Sequence, residues 1–300
     1  MLQSDLKHSA QYYMKLVIIS GLSGSGKTVA LHTLEDEGFY CVDNLPVGLL
    51  PAFIEQLSSR QMQIYDQVAV GVDARSGASD LKRFRDIIGP MKNDKIDIEV
   101  VYFETAINEL IKRFSDTRRR HPLTRKGIPL AEAIDIERNL LSPIALTADL
   151  CLDTTHTNVH QLRALIKKRI ISRPPQQLSI LFQSFGFKHS APTDSDFVFD
   201  VRCLPNPHWE PSLRPLTGQD PEVQAYLKQQ DDVIDMFSHI RNFLEYWIPK
   251  FAEQNRYYLT VSIGCTGGQH RSVYIAELLN NYFRDKFENV SLRHREMDNP

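Results

Sequence analysis

Eight residues constrain the architecture of this chain more than any other stretch. Gly21-Leu22-Ser23-Gly24-Ser25-Gly26-Lys27-Thr28 satisfies G-x-x-x-x-G-K-[ST] at every fixed position. It follows the strand-like run Lys15-Leu16-Val17-Ile18-Ile19-Ser20 and opens a stretch with helical apolar recurrence at 27–37. Such a loop works only where a strand ends at its first glycine and a helix begins at its lysine. That geometry turns successive backbone N–H groups and a helix N-terminus toward one anion. Lys27 is then expected to reach the β- and γ-phosphates of a nucleotide, and the Thr28 hydroxyl to ligate Mg²⁺. A Gly/Ser-rich turn that binds nothing is the alternative, and the flanking strand and helix argue against it.

The remaining pattern suits that loop. Strand candidates at 15–20, 38–42, 67–72, 98–103 and 149–152 alternate with amphipathic stretches at 27–37, 47–58, 78–90, 106–119, 131–141 and 158–171. Alternation of this kind predicts an α/β domain over 14–171, a P-loop kinase-like parallel sheet with helices on both faces. Ser172-Arg173-Pro174-Pro175 stops the last helix and reads as a linker. Residues 176–300 then form a second, smaller α/β domain. It has strands at 178–184, 197–201 and 257–263 and a helical middle at 222–251. Between 202 and 220 lie Pro205, Pro207, Pro211 and Pro215 among His208, Trp209, Arg214 and Gly218, which predicts a long irregular loop with a function. Residues 1–13 read as an extension or frayed arm.

Composition closes off other classes. With 35 Lys+Arg against 37 Asp+Glu, the net charge of −2 excludes a polycationic nucleic-acid coat, so anion affinity has to be local. No apolar run approaches the ~18–20 residues that cross a bilayer. The first thirteen residues are too polar for a signal-peptide core, and Cys41, Cys151, Cys203 and Cys265 follow no zinc or disulfide spacing. The expectation is a cytoplasmic protein with no membrane partner.

Three further features carry chemistry. The strand at 67–72 ends in Asp73, followed by Ala74-Arg75-Ser76. An acid at the end of a neighbouring parallel strand is where the Mg²⁺ shell is held, with Asp43 a competitor and a plain helix cap the bland alternative. Lys27, Thr28 and Asp73 form the expected catalytic set, with Thr28 and Asp73 on Mg²⁺, and Arg75 is a candidate phosphate or base contact. Residues 112–126 hold seven Lys/Arg against one Asp, including Arg118, Arg119 and Arg120. They could form a lid over the transferred phosphate, a site for an RNA backbone, or a solvated helix end. Third, a strand at 257–263 runs into Gly264-Cys265-Thr266-Gly267-Gly268-Gln269-His270-Arg271-Ser272 and then a helix. This is a second phosphate cradle by its glycines, helix start and arginine. It also fits the C-x₅-R-S of cysteine-dependent phosphatases, although Gly264 stands where those place a His. Non-catalytic phosphate recognition, a phosphatase and a structural turn all remain open at this point. His208 is a candidate partner across the pocket or a loop histidine beside Trp209.

SGLSGSGKTVALHTLEDEGFYCVDNLP, the TRRRHPL segment and IGCTGGQHRSVYIAE together resemble the RapZ/YvcJ family of P-loop nucleotide-binding proteins, a likeness that runs from about Met14 to His294. The resemblance implies an N-terminal domain that binds and hydrolyses ATP or GTP. Its ATP site falls on Gly21 to Thr28, and a GTP-contact element on Asp73-Ala74-Arg75-Ser76. It also implies a C-terminal domain that senses glucosamine-6-phosphate through His208, Thr266, Gly267, His270 and Arg271, beside Cys265 and Gly268 of the cradle. The RNase-adapter members bind a small regulatory RNA through a basic C-terminal tail and present it to an endoribonuclease. Residues 284–300 here hold four Lys/Arg and four Asp/Glu, a neutral tail. The expected protein is a homo-oligomeric regulator with slow ATP or GTP turnover, because no residue stands out as the one that positions water. A small-molecule kinase, or an RNA adapter with a vestigial nucleotide site, is the alternative.

Overall fold

A computed structural model of the chain describes residues 14–58, 65–93, 95–171, 178–254 and 256–297. The expected arm at 1–13 and linker at 172–175 lie outside these residues. Two compact units divide between Lys167 and Lys168, inside the stretch expected to be one helix to Ile171.

The first unit runs β1 (Met14–Gly21), α1 (Lys27–Asp36), β2 (Tyr40–Val42), α2 (Leu50–Ser58), β3 (Gln67–Gly71), α3 (Ala78–Lys82), α4 (Phe84–Ile88), β4 (Ile96–Glu104), α5 (Ile107–Thr117), α6 (Leu130–Ala145), β5 (Leu150–Asp153) and α7 (Val159–Ile166). Its strands lie in the order β2-β3-β1-β4-β5 with every ladder between them parallel. A parallel strand covered on both faces needs an unbroken apolar run, and β1 supplies one in Leu16-Val17-Ile18-Ile19, each fully buried. Leu16 and Ile18, with Val68, Val70, Ile98 and Val100, pack under Phe84, Ile88, Leu141 and Ile144 of α4 and α6. The pleat sends Val17 and Ile19 to the opposite face. There α1 lies along β1 and β3, buries Ala30, Leu31 and Leu34, and packs against α7. The helix expected over 78–90 is two short helices, because Arg83 departs from helical ψ between α3 and α4.

The second unit contains β6 (Ser179–Gly186), β7 (Phe197–Asp200), α8 (Pro221–Lys228), α9 (Asp231–Glu253), β8 (Tyr258–Cys265), α10 (Arg271–Arg284) and β9 (Val290–His294), with strand order β7-β8-β6-β9 and all ladders parallel. One face is apolar: Ile180, Phe182, Leu259, Val261 and Ile263 bury against Leu244, Ile248, Ile275 and Phe283. The other face is polar. Gln183 Nε2 donates to Ser262 Oγ at 2.9 Å, and the fully buried Arg169 guanidinium donates to Ser179 O at 3.4 Å and Thr260 Oγ1 at 3.3 Å. The helical middle splits where Gln230 turns extended, and Asp231 and Asp232 open α9 with acids that suit the positive end of its dipole. β9 was outside the expected strands. Its Val-Ser-Leu-Arg-His alternation is too short to stand out, and pairing with β6 makes it a strand.

β1 and β8 are therefore interior strands of parallel sheets, and each runs from its C-terminal end into a glycine-rich loop and a helix. Ligands of open α/β sheets bind at such strand ends, where neighbouring crossovers diverge. Among the described residues no helix is long and apolar enough to cross a membrane.

Candidate functional site

Gly21 to Gly26 connects β1 to α1 through a backbone that three glycines alone permit, with φ of +143° at Gly21, +88° at Gly24 and +109° at Gly26. The loop is tied from outside. Arg113 Nη1 donates to Gly24 O at 3.2 Å, and Thr154 Oγ1 donates to Ser25 O at 2.8 Å. Arg113 Nη2 also reaches Thr154 O at 2.5 Å, which joins α5 to the end of β5. Leu22 is buried with Leu110 and Ile134. The bonds from Arg113 and Thr154 hold the carbonyls of Gly24 and Ser25 from α5 and the end of β5. Lys27 Nζ donates to Gly21 O at 2.6 Å and Leu22 O at 3.0 Å. Loss of water around this amine lowers its pKa, and the charges of Glu137, Asp73 and Asp43, in that order, oppose the shift. Thr28 is exposed at the start of α1.

Asp73 is buried at the end of the β3 segment and caps the turn Ala74–Ser76. Its Oδ1 accepts the Arg75 N–H at 2.9 Å, and its Oδ2 accepts Arg75 Nε at 2.7 Å. Arg75 also donates to the Asn44 side chain, which joins the end of β2 to the same corner. Asp73 thus does the work of a cap, and its carboxylate also bears on Lys27. Of the 112–126 patch, Arg113 belongs to the loop's scaffold. Arg118 to Arg120 stand exposed where α5 ends, with Arg118 in a left-handed cap at φ +52°.

The second loop is built to the same plan. Cys265 is buried at its base. Its Sγ accepts the Gly268 N–H at 3.2 Å and lies 3.1 Å from Ser272 Oγ. Arg271, only 4% exposed, donates through Nη1 to Arg202 O at 2.8 Å and Leu204 O at 3.0 Å, and through Nη2 to Thr266 Oγ1 at 3.4 Å. Its Nε is buried with no hydrogen-bond partner among the described residues. The proline-rich loop is therefore folded over this cradle. His270 Nε2 donates to Leu213 O at 3.2 Å, and burial lowers the His270 pKa, which favours the neutral ring. His208 lies with ring centroids 5.8 Å from Trp209 and 6.5 Å from His270. Thr266 is exposed and Gly267 half-buried. The close approach of β6 is made by Gly186, where a Cβ would stand 2.7 Å from the Gly267 carbonyl carbon.

Residues 14–173 match the RapZ-like N-terminal domain, and residues 178–298 match the RapZ C-terminal domain. The chain belongs to the RapZ family. A nucleotide-binding protein of Thioalkalivibrio sulfidiphilus is 58% identical over 285 residues, which cover 95% of this chain and 100% of that one. A nucleotide-binding protein of Methylococcus capsulatus is 51% identical, covering 96% and 97%. Among solved structures, a sugar kinase of Janibacter aligns over 51% of this chain and 92% of its own, with a TM-score of 0.35 and 18% identity.

Two residues of this RapZ-family chain escaped the motif reading. Glu137 of α6 is 1% exposed. Its Oε2 accepts the Ser23 N–H at 2.8 Å, and its Oε1 accepts the Ser23 hydroxyl at 2.7 Å. His121, equally buried, donates from Nε2 to Glu137 Oε2 at 2.9 Å. Because His121 Nδ1 accepts the Leu123 N–H, the ring proton is on Nε2. Burial alone would raise the Glu137 pKa, but the His121 bond, the Lys27 charge and the Ser23 bonds outweigh it and hold the carboxyl below its ordinary range. A signal for Glu137 was present: Ile134, Glu137, Leu141 and Ile144 share helical spacing, so a carboxylate sits on an apolar face. His121 was hidden among the arginines of TRRRHPL.

The donor set at the first loop is oxygen: the Thr28 hydroxyl and the carboxylates of Asp73 and Asp43. That chemistry fits Mg²⁺, a hard cation that keeps several waters and takes few protein ligands beside its phosphates. With both Asp73 oxygens engaged by Arg75, Asp73 suits the ion's water shell better than direct ligation.

Proposed function

We propose that this nucleotide-binding protein is a two-site regulator: its first unit binds ATP or GTP with Mg²⁺ and hydrolyses it slowly, and its second senses a phosphorylated amino sugar of the glucosamine-6-phosphate kind. In the first unit, residues Gly21 to Thr28 wrap the phosphates, Lys27 contacts the β- and γ-phosphates, and Thr28 with Asp73 supports Mg²⁺. Asp73 to Ser76 form the neighbouring nucleotide-contact corner.

The observation that carries the second half of the reading is the Arg271 guanidinium. It is buried at the start of α10 with Nε unpartnered, beside the Thr266 hydroxyl and the loop amides. A buried charged donor with an unused N–H is costly unless an anion completes it. Thr266, Gly267, Gly268 and Arg271 take the phosphate in this reading, with Cys265 shaping the base and His208 and His270 on the folded-over loop. Calorimetric titration of the full chain with glucosamine-6-phosphate tests it. Arg271→Ala is expected to weaken binding by about 100-fold, since charge-assisted bonds to phosphate contribute roughly 1.5–3 kcal/mol each. Failure of the unsubstituted protein to bind would remove the sugar-phosphate role. Cys265→Ser is expected to bind normally, because a serine hydroxyl can keep the contacts to the Gly268 N–H and the Ser272 hydroxyl; loss of a sugar-phosphatase activity in that variant would point to a nucleophile instead.

The exposed run Arg118-Arg119-Arg120 favours a second reading, contact with an RNA backbone as part of an adapter that presents a small RNA to an endoribonuclease. Removing the three charges would then reduce the salt slope of RNA binding by about 3, near one unit per phosphate contact. No RNA retention at low salt ends this reading. Transfer of the γ-phosphoryl group from labelled ATP to a small acceptor, rather than to water, would make the protein a kinase.

A further inference from the structure

We propose that Glu137 is the residue that orients and deprotonates the water attacking the γ-phosphoryl group, acting through the Ser23 hydroxyl, with His121 as its positioning residue. This rests on the nucleotide-hydrolysis reading above and supplies the group that the motif lacks.

Three observations carry it. Glu137 is a buried carboxylate set directly on the nucleotide loop, bonded to both the amide and the hydroxyl of Ser23. Among the acids that bear on Lys27, it is the strongest, ahead of Asp73 and Asp43. Ser23, which Glu137 holds, and Lys27, on which its charge bears, both belong to the loop that takes the phosphates in that reading. Its rivals are spent or exposed: Asp73 is engaged by Arg75, and Asp43 stands in solvent. A buried negative charge beside a polyanion costs binding, which a brace made of a neutral side chain would avoid. His121, with its tautomer set by the Leu123 N–H, fixes the carboxylate's orientation.

The step balances with water alone. A bond forms between the water oxygen and the γ-phosphorus, and the bond from that phosphorus to the β–γ bridging oxygen breaks. The nucleoside diphosphate leaves with the electron pair. Ser23 takes the water's proton as it hands its own to Glu137 Oε1, and the proton passes to solvent when inorganic phosphate departs. A carboxylate held below its ordinary range is a weak base, in keeping with slow turnover.

Glu137→Gln separates this role from that of a brace. Glutamine can still accept from the Ser23 amide and His121 while donating to the Ser23 oxygen, so the loop keeps its ties. The full chain and the variant are compared for affinity toward ATP and GTP with Mg²⁺ and for single-turnover release of labelled phosphate. The expected result is affinity equal to or tighter than that of the full chain, since a buried negative charge is removed, with hydrolysis lowered by about 100-fold, the lower range for loss of a general base. Unchanged hydrolysis at retained affinity overturns the proposal. Should Glu137→Gln fail to fold, Ser23→Ala removes the relay hydroxyl and keeps the amide bond; hydrolysis at the original rate in that variant likewise overturns it. An unsubstituted protein that binds neither nucleotide fails the underlying reading instead, and one that binds without releasing phosphate above the Glu137→Gln level refutes the role of Glu137.

Discussion

Lys27→Ala is expected to lower nucleotide affinity by about 100-fold or more and to abolish phosphate release, on the scale of two charge-assisted hydrogen bonds at roughly 1.5–3 kcal/mol each. The ammonium is the strongest positive group of the loop, and the acids around it make its loss worse. Glu137, Asp73 and Asp43 all bear on Lys27. Without the lysine, an incoming triphosphate would meet that acidic surround with only the loop amides to offset it. The fold should survive, because the lysine's bonds to Gly21 O and Leu22 O span only six residues, and β1 and α1 are held independently by their packing in the core. Titration with a fluorescent nucleotide in the presence of Mg²⁺, alongside a melting curve, checks both halves. Unchanged affinity in a folded Lys27→Ala chain would remove the P-loop from the functional account.

The second large effect is on stability. Gly21→Ala is expected to destabilise the first unit by about 3–5 kcal/mol, combining a strained backbone with overpacking against a neighbouring strand. Gly21 sits at φ +143°, and a Cβ there would stand 2.4 Å from Phe103 O and 2.8 Å from Phe103 N. The obstacle is the backbone of β4, which cannot step aside as a side-chain tip can, because the β1–β4 ladder continues from Met14–Ile96 to Gly21–Phe103. Such a loss is a large part of a domain's ~5–15 kcal/mol. Gly89→Ala is the control, since a Cβ there meets nothing within 4 Å. Denaturant unfolding should show an early transition for Gly21→Ala and none for Gly89→Ala. Equal midpoints for the two variants would contradict the close approach.

Much of this was legible from residue order, for reasons that can be stated. A parallel strand buried on both faces must be an apolar run, so β1 and β8 were visible. A loop that leaves a strand and opens a helix with a lysine or arginine needs glycines at fixed spacing, so both glycine-rich loops were visible as well. What escaped depends on partners far along the chain. β9 is a strand because β6 lies beside it, with Ile180 paired to Val290 across 110 positions of sequence. Arg113 read as one charge of a basic patch, and its placement under Gly24 O, 89 residues away, makes it part of the nucleotide loop's frame. Asp73 caps the turn Ala74–Ser76 and also bears on Lys27 through its charge, a pairing set by residues 46 positions apart.

Residue order alone carries the α/β character of both units, the strand-to-helix loop at Gly21–Thr28 and the glycine-rich loop at Gly264–Ser272. Each of these rests on local periodicity or on spacing within one turn, where a residue's neighbours in sequence are its neighbours in space. Folding was needed to show that Glu137, held by His121, closes on Ser23, and that the carbonyls of Arg202 and Leu204 meet Arg271. Those contacts join residues 114 apart in one case and about 70 apart in the other. A buried charge reveals its purpose only through the donors and acceptors packed around it, and no spacing rule along the chain encodes them.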